Sequence, residues 1–89
     1  MKKTTQQRAI HRLKIIEGQV RGLQKMVEED VYCIDIITQA SAVKEALSGV
    51  EDLLLENHLS THVLTQVKAG QDKQATAEIL KVYKLKRKK

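Results

Sequence analysis

The sequence predicts an all-α fold, a single domain with a three-helix protomer, and three observations predict it. Pro is absent and Gly numbers four among 89 residues, too few turn formers for a strand-rich chain. Hydrophobic residues make up 42% but aromatics only 2%, which suits aliphatic helix faces and lacks the bulky residues of a β sandwich or barrel. Apolar residues recur at spacings of three and four, the period of one α-helical face. So short a chain buries a modest fraction of its surface, and a helical protein of this composition is expected to complete its core by oligomerising.

The first helix is predicted over about 5–29, with Thr4 or Thr5 able to cap it. Its stripe is Ile10, Leu13, Ile16, Val20, Leu23 and Met26 or Val27. Gly18 and Gly22 interrupt it at some cost in helix propensity, but they share a face that another backbone could approach. Val31-Tyr32-Cys33 is a short joint. The second helix is predicted over about 33–66, packing through Ile34, Ile37, Ala40, Val43, Ala46 or Leu47, Val50, Leu53 or Leu54, and Leu59. Its centre is rich in small residues (Ala40, Ser41, Ala42, Ala46, Ser48, Gly49), so a partner helix can cross closely there. Gly70 is the expected helix stop and Asp72 the expected N-cap of a third helix over 72–84. Ala75, Ile79, Leu80, Val82 and Tyr83 are available for its packing, and a basic tail over 84–89 is expected to fray.

The net charge of +5 is unevenly placed. Lys2, Lys3, Arg8, Arg12, Lys14, Arg21 and Lys25 stand against Glu17 alone in the first 25 residues, an acidic middle follows, and the tail is basic again. That separation points to a polyanion partner, most simply nucleic acid. One Cys cannot form an intramolecular disulfide, so a disulfide-stapled secreted scaffold is excluded. No apolar run approaches about 20 residues and the N-terminus has no signal-peptide core, so no membrane partner and a cytoplasmic location are expected.

Cys33, His58 and His62 are the candidates for soft-metal ligation. His58 and His62 are four apart on one helix, so both rings can face one ion. Cys33 and His58 on one continuous helix are separated by about 37 Å and cannot share an ion within one chain. Two copies of the second helix, paired antiparallel about a two-fold axis, cross between Glu45 and Ala46 within the small-residue centre. That crossing brings Cys33 of one subunit to His58 and His62 of the other, and symmetry makes two sites per dimer. No Ser-His-Asp set, phosphate loop or general base beside these donors is visible, so an enzyme is not expected.

The residues Arg12-Leu13, the run Ile16-Glu17-Gly18-Gln19-Val20-Arg21-Gly22-Leu23, then Cys33, Ile37-Thr38-Gln39 and Ala42, and finally His58-Leu59-Ser60-Thr61-His62, resemble the CsoR/RcnR family of metal-sensing transcriptional repressors. The likeness covers nearly the whole chain. It implies that Cys33 and His58 are ligands supplied across a dimer, with His62 the third. It also implies that Tyr32 and Glu78 hydrogen-bond the ligand histidine, as bound histidines generally require. Read from the residues alone, Tyr32 would be a half-buried aromatic and Glu78 a solvated charge.

The departures from the family pattern bear on the metal. The nickel/cobalt branch uses a further histidine near the N-terminus, where this chain runs Met1 to Gln7 without one. The persulfide-sensing branch needs a second Cys where His62 stands, and the formaldehyde-sensing branch has Pro where Lys2 stands. Cu(I) therefore leads, while one thiolate and two imidazoles also suit Zn(II), Ni(II) or Co(II). The expected architecture is an antiparallel helix pair forming a four-helix-type dimer core; the resemblance implies a dimer of dimers. Arg12, Lys14 and Arg21, then Arg8, His11 and Lys44, are the expected contacts to double-stranded operator DNA, positioning the protein through phosphates. The expected function is a repressor that binds its operator metal-free and is released by Cu(I), derepressing metal-efflux genes. The alternatives are a repressor responding to nickel, cobalt or zinc, or a helical protein-interaction module with a structural or buffering metal site.

Overall fold

The computed structural model describes residues 1–87; Lys88 and Lys89, the end of the expected basic tail, lie outside the described residues. The elements are α1 (Lys3–Glu28), α2 (Cys33–His58), a π-helical turn (Leu59–Val63), α3 (Leu64–Lys68) and α4 (Asp72–Arg87), with no strand among the described residues. The fold is all-α, as predicted. None of these helices is long and apolar enough to cross a membrane. The chain divides into two compact units, Met1–Glu56 and Asn57–Lys89.

In the first unit, α1 begins at Lys3, two residues before the predicted start. The N-cap is Lys2, with extended backbone and no side-chain cap bond; its carbonyl accepts the Gln6 N–H at 3.0 Å. Thr4 and Thr5 therefore lie inside the first turn, because the helix needs only that carbonyl to start and draws its stability from packing further along. At the other end the Val31 N–H bonds to the Met26 carbonyl (3.0 Å) and the Asp30 N–H to that of Val27 (3.1 Å). This is a Schellman motif, with Asp30 in the left-handed position at φ 54°. The chain then reverses, and the Tyr32 carbonyl accepts the Asp35 and Ile36 N–H groups to start α2.

The reversal lays α1 and α2 antiparallel. Ile16, Val43 and Val50 form the buried cluster, with Leu23, Ala46 and Leu54 packed against it. Ala9 joins Ile16 as a buried residue of α1, so the inward face follows Ala9, Ile16 and Leu23 at seven-residue spacing. Ile10, Leu13 and Val20, expected in the same stripe, stay largely exposed beside it. One facing helix covers only a narrow strip, and the flanking positions of a broader stripe remain in water. On α2, Val43, Val50 and Leu53 are buried, whereas Ile34, Ile37 and Leu47 are exposed, Ile37 at 61%. No side chain in the described chain is fully buried. Within the chain nothing comes within 4 Å of a Cβ built on Gly18 or Gly22, so neither serves a close helix approach here.

The second unit departs more from expectation. The second helix, predicted to run unbroken to about 66, keeps α-helical pairing only to His58 and then widens to the π turn. The cause is local competition for carbonyls. Ser60 Oγ and Thr61 Oγ1 both donate to the Asn57 carbonyl, at 3.1 and 2.7 Å, and Thr65 Oγ1 donates to that of Thr61 at 3.0 Å. A second Schellman motif follows: Gln71 N–H to the Gln66 carbonyl (2.7 Å), Gly70 N–H to that of Val67 (3.0 Å), with Gly70 at φ 76°. Gly70 is the helix stop that the sequence predicts. Asp72 is not the N-cap. The Gln71 carbonyl accepts the Ala75 N–H at 3.0 Å, and Asp72 is the first residue of α4, where its carboxylate favours the positive helix end. Ala75 is buried, Ile79 and Val82 are half-buried, and Leu80 and Tyr83 are exposed. The last helix extends past 84 to Arg87, which lies 5.9 Å above the Tyr83 ring and, with Lys84 and Lys86, suits the negative end of the dipole.

Candidate metal centre and basic surface

Glu78 is the centre of the polar structure in the second unit. Its Oε2 accepts from His58 Nε2 at 3.2 Å and from Gln66 Nε2 at 3.3 Å, and its Oε1 accepts from Gln74 Nε2 at 3.2 Å. The donors come from the end of α2, from α3 and from one turn back on α4. Together they hold the Glu78 carboxyl below its ordinary range, Gln74 contributing most, then Gln66; desolvation opposes them, and the hydrogen bond and charge of His58 add smaller lowering effects. An ionised carboxylate only accepts, so the His58 proton sits on Nε2. The rings of His58 and His62 are 5.1 Å apart between centroids and inclined by 31°. His62 lies in the π turn, with Nδ1 3.4 Å from Thr61 Oγ1.

Cys33 is exposed as the first residue of α2, and Tyr32, just before it, is 70% exposed. His58 is the last residue of the same helix, so 26 residues of α-helix run from the thiol to the imidazole. Accordingly His58, His62 and Glu78 lie together, while Cys33 and Tyr32 belong to the other end of α2. Among the described residues of one chain, no group of three Cys, His, Asp or Glu is gathered that could hold a metal ion.

Lys14 and Arg21 are exposed on the face of α1 opposite Ile16, seven residues apart. Arg21 makes an exposed i,i+4 pair with Glu17 at 3.4 Å, which water and salt screen to little. Arg8, His11 and Lys44 are exposed. Arg12 is half-buried, and its Nη1 donates to the Gly49 carbonyl at 3.4 Å. That bond turns Arg12 toward α2, unlike the other expected DNA contacts. Lys25, not singled out by the sequence, shares the outward face with Lys14 and Arg21 and pairs with Glu29 at 3.8 Å. Gln66 and Gln74 were also missed; only the Gln74–Glu78 spacing of four carried a readable signal.

A short helical chain with a basic leading helix, and two imidazoles grouped with a carboxylate, suits a regulator. Comparison with known proteins makes the class definite. The family model described as metal-sensitive transcriptional repressor matches residues 5–85, and the chain belongs to that family. It is 51% identical over 74 residues to the copper-sensing transcriptional repressor CsoR of Bacillus subtilis (strain 168), covering 83% of this chain and 73% of that one. It is 54% identical over 59 residues to the copper-sensing transcriptional repressor RicR of Mycobacterium tuberculosis (strain ATCC 25618 / H37Rv), covering 66% and 62%. Among solved structures, the copper-sensing repressor CsoR with Cu(I) from Geobacillus thermodenitrificans NG80-2 superposes with a TM-score of 0.89 at 43% identity, over 99% of this chain and 92% of that one.

Proposed function

We propose that this repressor responds to Cu(I): metal-free it holds operator DNA, and Cu(I) binding releases it, derepressing genes for metal export or metal handling. The observation that carries the reading is the His58–Glu78 bond. With Nε2 engaged, His58 offers Nδ1 to an ion, and its carboxylate partner holds the ring in that orientation. His62, 5.1 Å away between ring centroids, can aim at the same ion, and the Cys33 thiol supplies the soft donor that Cu(I) prefers. The donor set therefore fits the metal named for the relatives. Because Cys33 and His58 stand at opposite ends of α2, the site needs two chains, Cys33 from one and His58 with His62 from the other. Tyr32, next to Cys33, would then reach the partner's histidine from the same side as the thiol.

The self-association this requires is supported by the apolar residues left exposed on α2, chiefly Ile34, Ile37 and Leu47, which a second copy would cover. A four-helix-type dimer core, and a dimer of dimers built from it, is the assembly we propose. Lys14 and Arg21, helped by Arg8, His11 and Lys44, contact operator phosphates; Arg12 joins them once it leaves Gly49. Metal and DNA then act on one another through the assembly, and their coupling is reciprocal.

The test is fluorescence anisotropy on the protein's own promoter DNA, repeated with Cu(I), Zn(II) and Ni(II) buffered by calibrated chelators. Release by Cu(I) at the lowest free metal supports the reading, and release by Zn(II) or Ni(II) ahead of Cu(I) replaces the metal. A mixed dimer tests the two-chain site. Cys33→Ala paired with His58→Ala keeps one intact site, so tight Cu(I) binding should rise from near zero in either homodimer to about one ion per mixed dimer. No recovered site in the mixed dimer would refute the trans arrangement.

A further inference from the structure

We infer that Gln66 and Gln74 are positioning residues for the metal-binding histidine: they fix the Glu78 carboxylate against His58 Nε2, and so select the ring nitrogen that faces the ion. The inference rests on the proposed role of His58 as a ligand. It goes beyond the His58–Glu78 pair by asking what aims the carboxylate. A glutamate on a helix surface has three rotatable bonds and no reason to point at one imidazole. Here both oxygens are occupied from other directions. Gln74 takes Oε1 at 3.2 Å from one turn back on α4, and Gln66 reaches Oε2 at 3.3 Å from α3. The remaining direction on Oε2 is the one His58 uses, at 3.2 Å. Two amide donors thus lock the carboxylate before the imidazole meets it.

The placement of Gln66 shows that this contact is selected over its alternatives. Its Oε1 is buried with no hydrogen-bond partner among the described residues, so the amide is anchored through its donor end alone. Turning the amide over would set that oxygen against the carboxylate. The turn at Gly70 makes the contact possible, since its left-handed backbone reverses the chain between Gln66 and α4. The sequence thereby ties a backbone conformation at residue 70 to the orientation of a histidine at residue 58.

The consequence is a choice of tautomer. With the carboxylate fixed, the neutral His58 ring carries its proton on Nε2 and presents Nδ1. With the carboxylate free to swing away, both tautomers are populated, and a fraction of the rings presents the wrong nitrogen. Metal affinity falls by that fraction and by the lost orientation. Outer partners of metal-bound histidines typically contribute about 10–100-fold in affinity, so residues that act through such a partner should contribute about three- to tenfold.

The test is the long-range proton–nitrogen NMR spectrum of the metal-free full chain, taken at a pH where the imidazoles are neutral, together with Cu(I) competition titration. Wild type should show His58 as a single Nε2–H tautomer. Gln66→Leu with Gln74→Leu should admix the Nδ1–H tautomer and weaken Cu(I) binding about three- to tenfold. Glu78→Leu sets the spectrum of the released ring. Gln74→Leu alone changes an exposed side chain and keeps the fold, so it reads the effect if the double variant is poorly folded. Gln74→Lys keeps a donor toward Glu78 and should hold the wild-type tautomer. Leu variants with wild-type nitrogen shifts and wild-type Cu(I) affinity would overturn the inference. A wild type that fixes the tautomer but binds no Cu(I) would instead sink the copper reading and leave the positioning role standing.

Discussion

The α1–α2 pair is held by aliphatic side chains, Ile16 against Val43 and Val50, with Leu23, Ala46 and Leu54 around them. From Asn57 onward the chain is organised by polar groups instead. Three donors converge on Glu78, hydroxyls bend the helix into a π turn, and a single alanine on α4 is buried. Aliphatic packing is tolerant of shape and indifferent to small displacements of a polar atom. Hydrogen bonds to one carboxylate are not, because each fails with the loss of an ångström or of alignment. A scaffold suits the first construction, and a site that must orient an imidazole suits the second. π turns are frequent at functional positions for a related reason: they re-aim a side chain without ending the helix.

The difference predicts that function and stability separate by region. The largest effect should come from the proposed ligands. Cys33→Ala or His58→Ala should weaken Cu(I) binding by more than about a hundredfold, beyond what outer partners contribute, and abolish metal-dependent release. DNA affinity of the metal-free protein should stay near wild type, since neither residue is among the basic groups proposed to contact phosphates. Anisotropy with and without Cu(I) reads both quantities. A folded Cys33→Ala variant that no longer binds DNA would break the separation.

The next effect belongs to the aliphatic region. Ile16→Ala removes a side chain that is 6% exposed and should cost about 2–3 kcal/mol, the low end for such truncations because the core is shallow. Ile15→Ala, one residue away and largely exposed, should cost less than about 0.5 kcal/mol. Urea unfolding at several fixed protein concentrations measures both, since the proposed self-association would make the midpoint concentration-dependent. Equal losses at the two positions would mean that the assembly buries the outer face of α1 as fully as its inner one.

How much of this was legible in the sequence follows the same division. Aliphatic periodicity located both long helices, because one buried face at 3.6-residue spacing leaves a trace in composition alone. It overstated the stripe by including Ile10, Leu13 and Val20, since periodicity marks apolar positions without saying which partner covers them. The His58 and His62 pair was readable from spacing, and Glu78 only through the family resemblance. Gln66 and Gln74 were not readable as donors, because their role depends on a chain reversal that sets α3 against α4. The π turn was missed for a similar reason. Ser60 and Thr61 are ordinary helix residues until their hydroxyls take the Asn57 carbonyl.

The two chain reversals sharpen the comparison further, because they are the same motif with different residues at the left-handed position. Gly70 at φ 76° carries no Cβ and adopts this backbone without strain. Gly70→Ala should therefore destabilise by about 1 kcal/mol, although nothing lies within 4 Å of the added methyl and no contact is lost. The same substitution should loosen the Gln66–Glu78 bond, so it should also broaden the His58 ring signals, which Ile16→Ala should leave sharp.

Asp30 occupies the corresponding position in the first unit at φ 54°, and there the smallest effect is expected. Aspartate tolerates the left-handed region better than most residues with a Cβ, so Asp30→Gly should stabilise by only about 0.5 kcal/mol. Charge complicates this position in two opposing ways. A carboxylate just past the end of α1 faces the negative end of its dipole, and the same carboxylate lies just ahead of α2, where negative charge is favoured. The two contributions nearly cancel, so Asp30→Asn, which removes the charge and keeps a residue suited to this backbone, should change stability by less than Asp30→Gly does. Thermal unfolding at one fixed protein concentration resolves them, with Asp30→Gly expected to raise Tm by about 2–4 °C for a domain of this size. A larger gain from Asn than from Gly would show that repulsion at the end of α1, and not backbone strain, limits this turn.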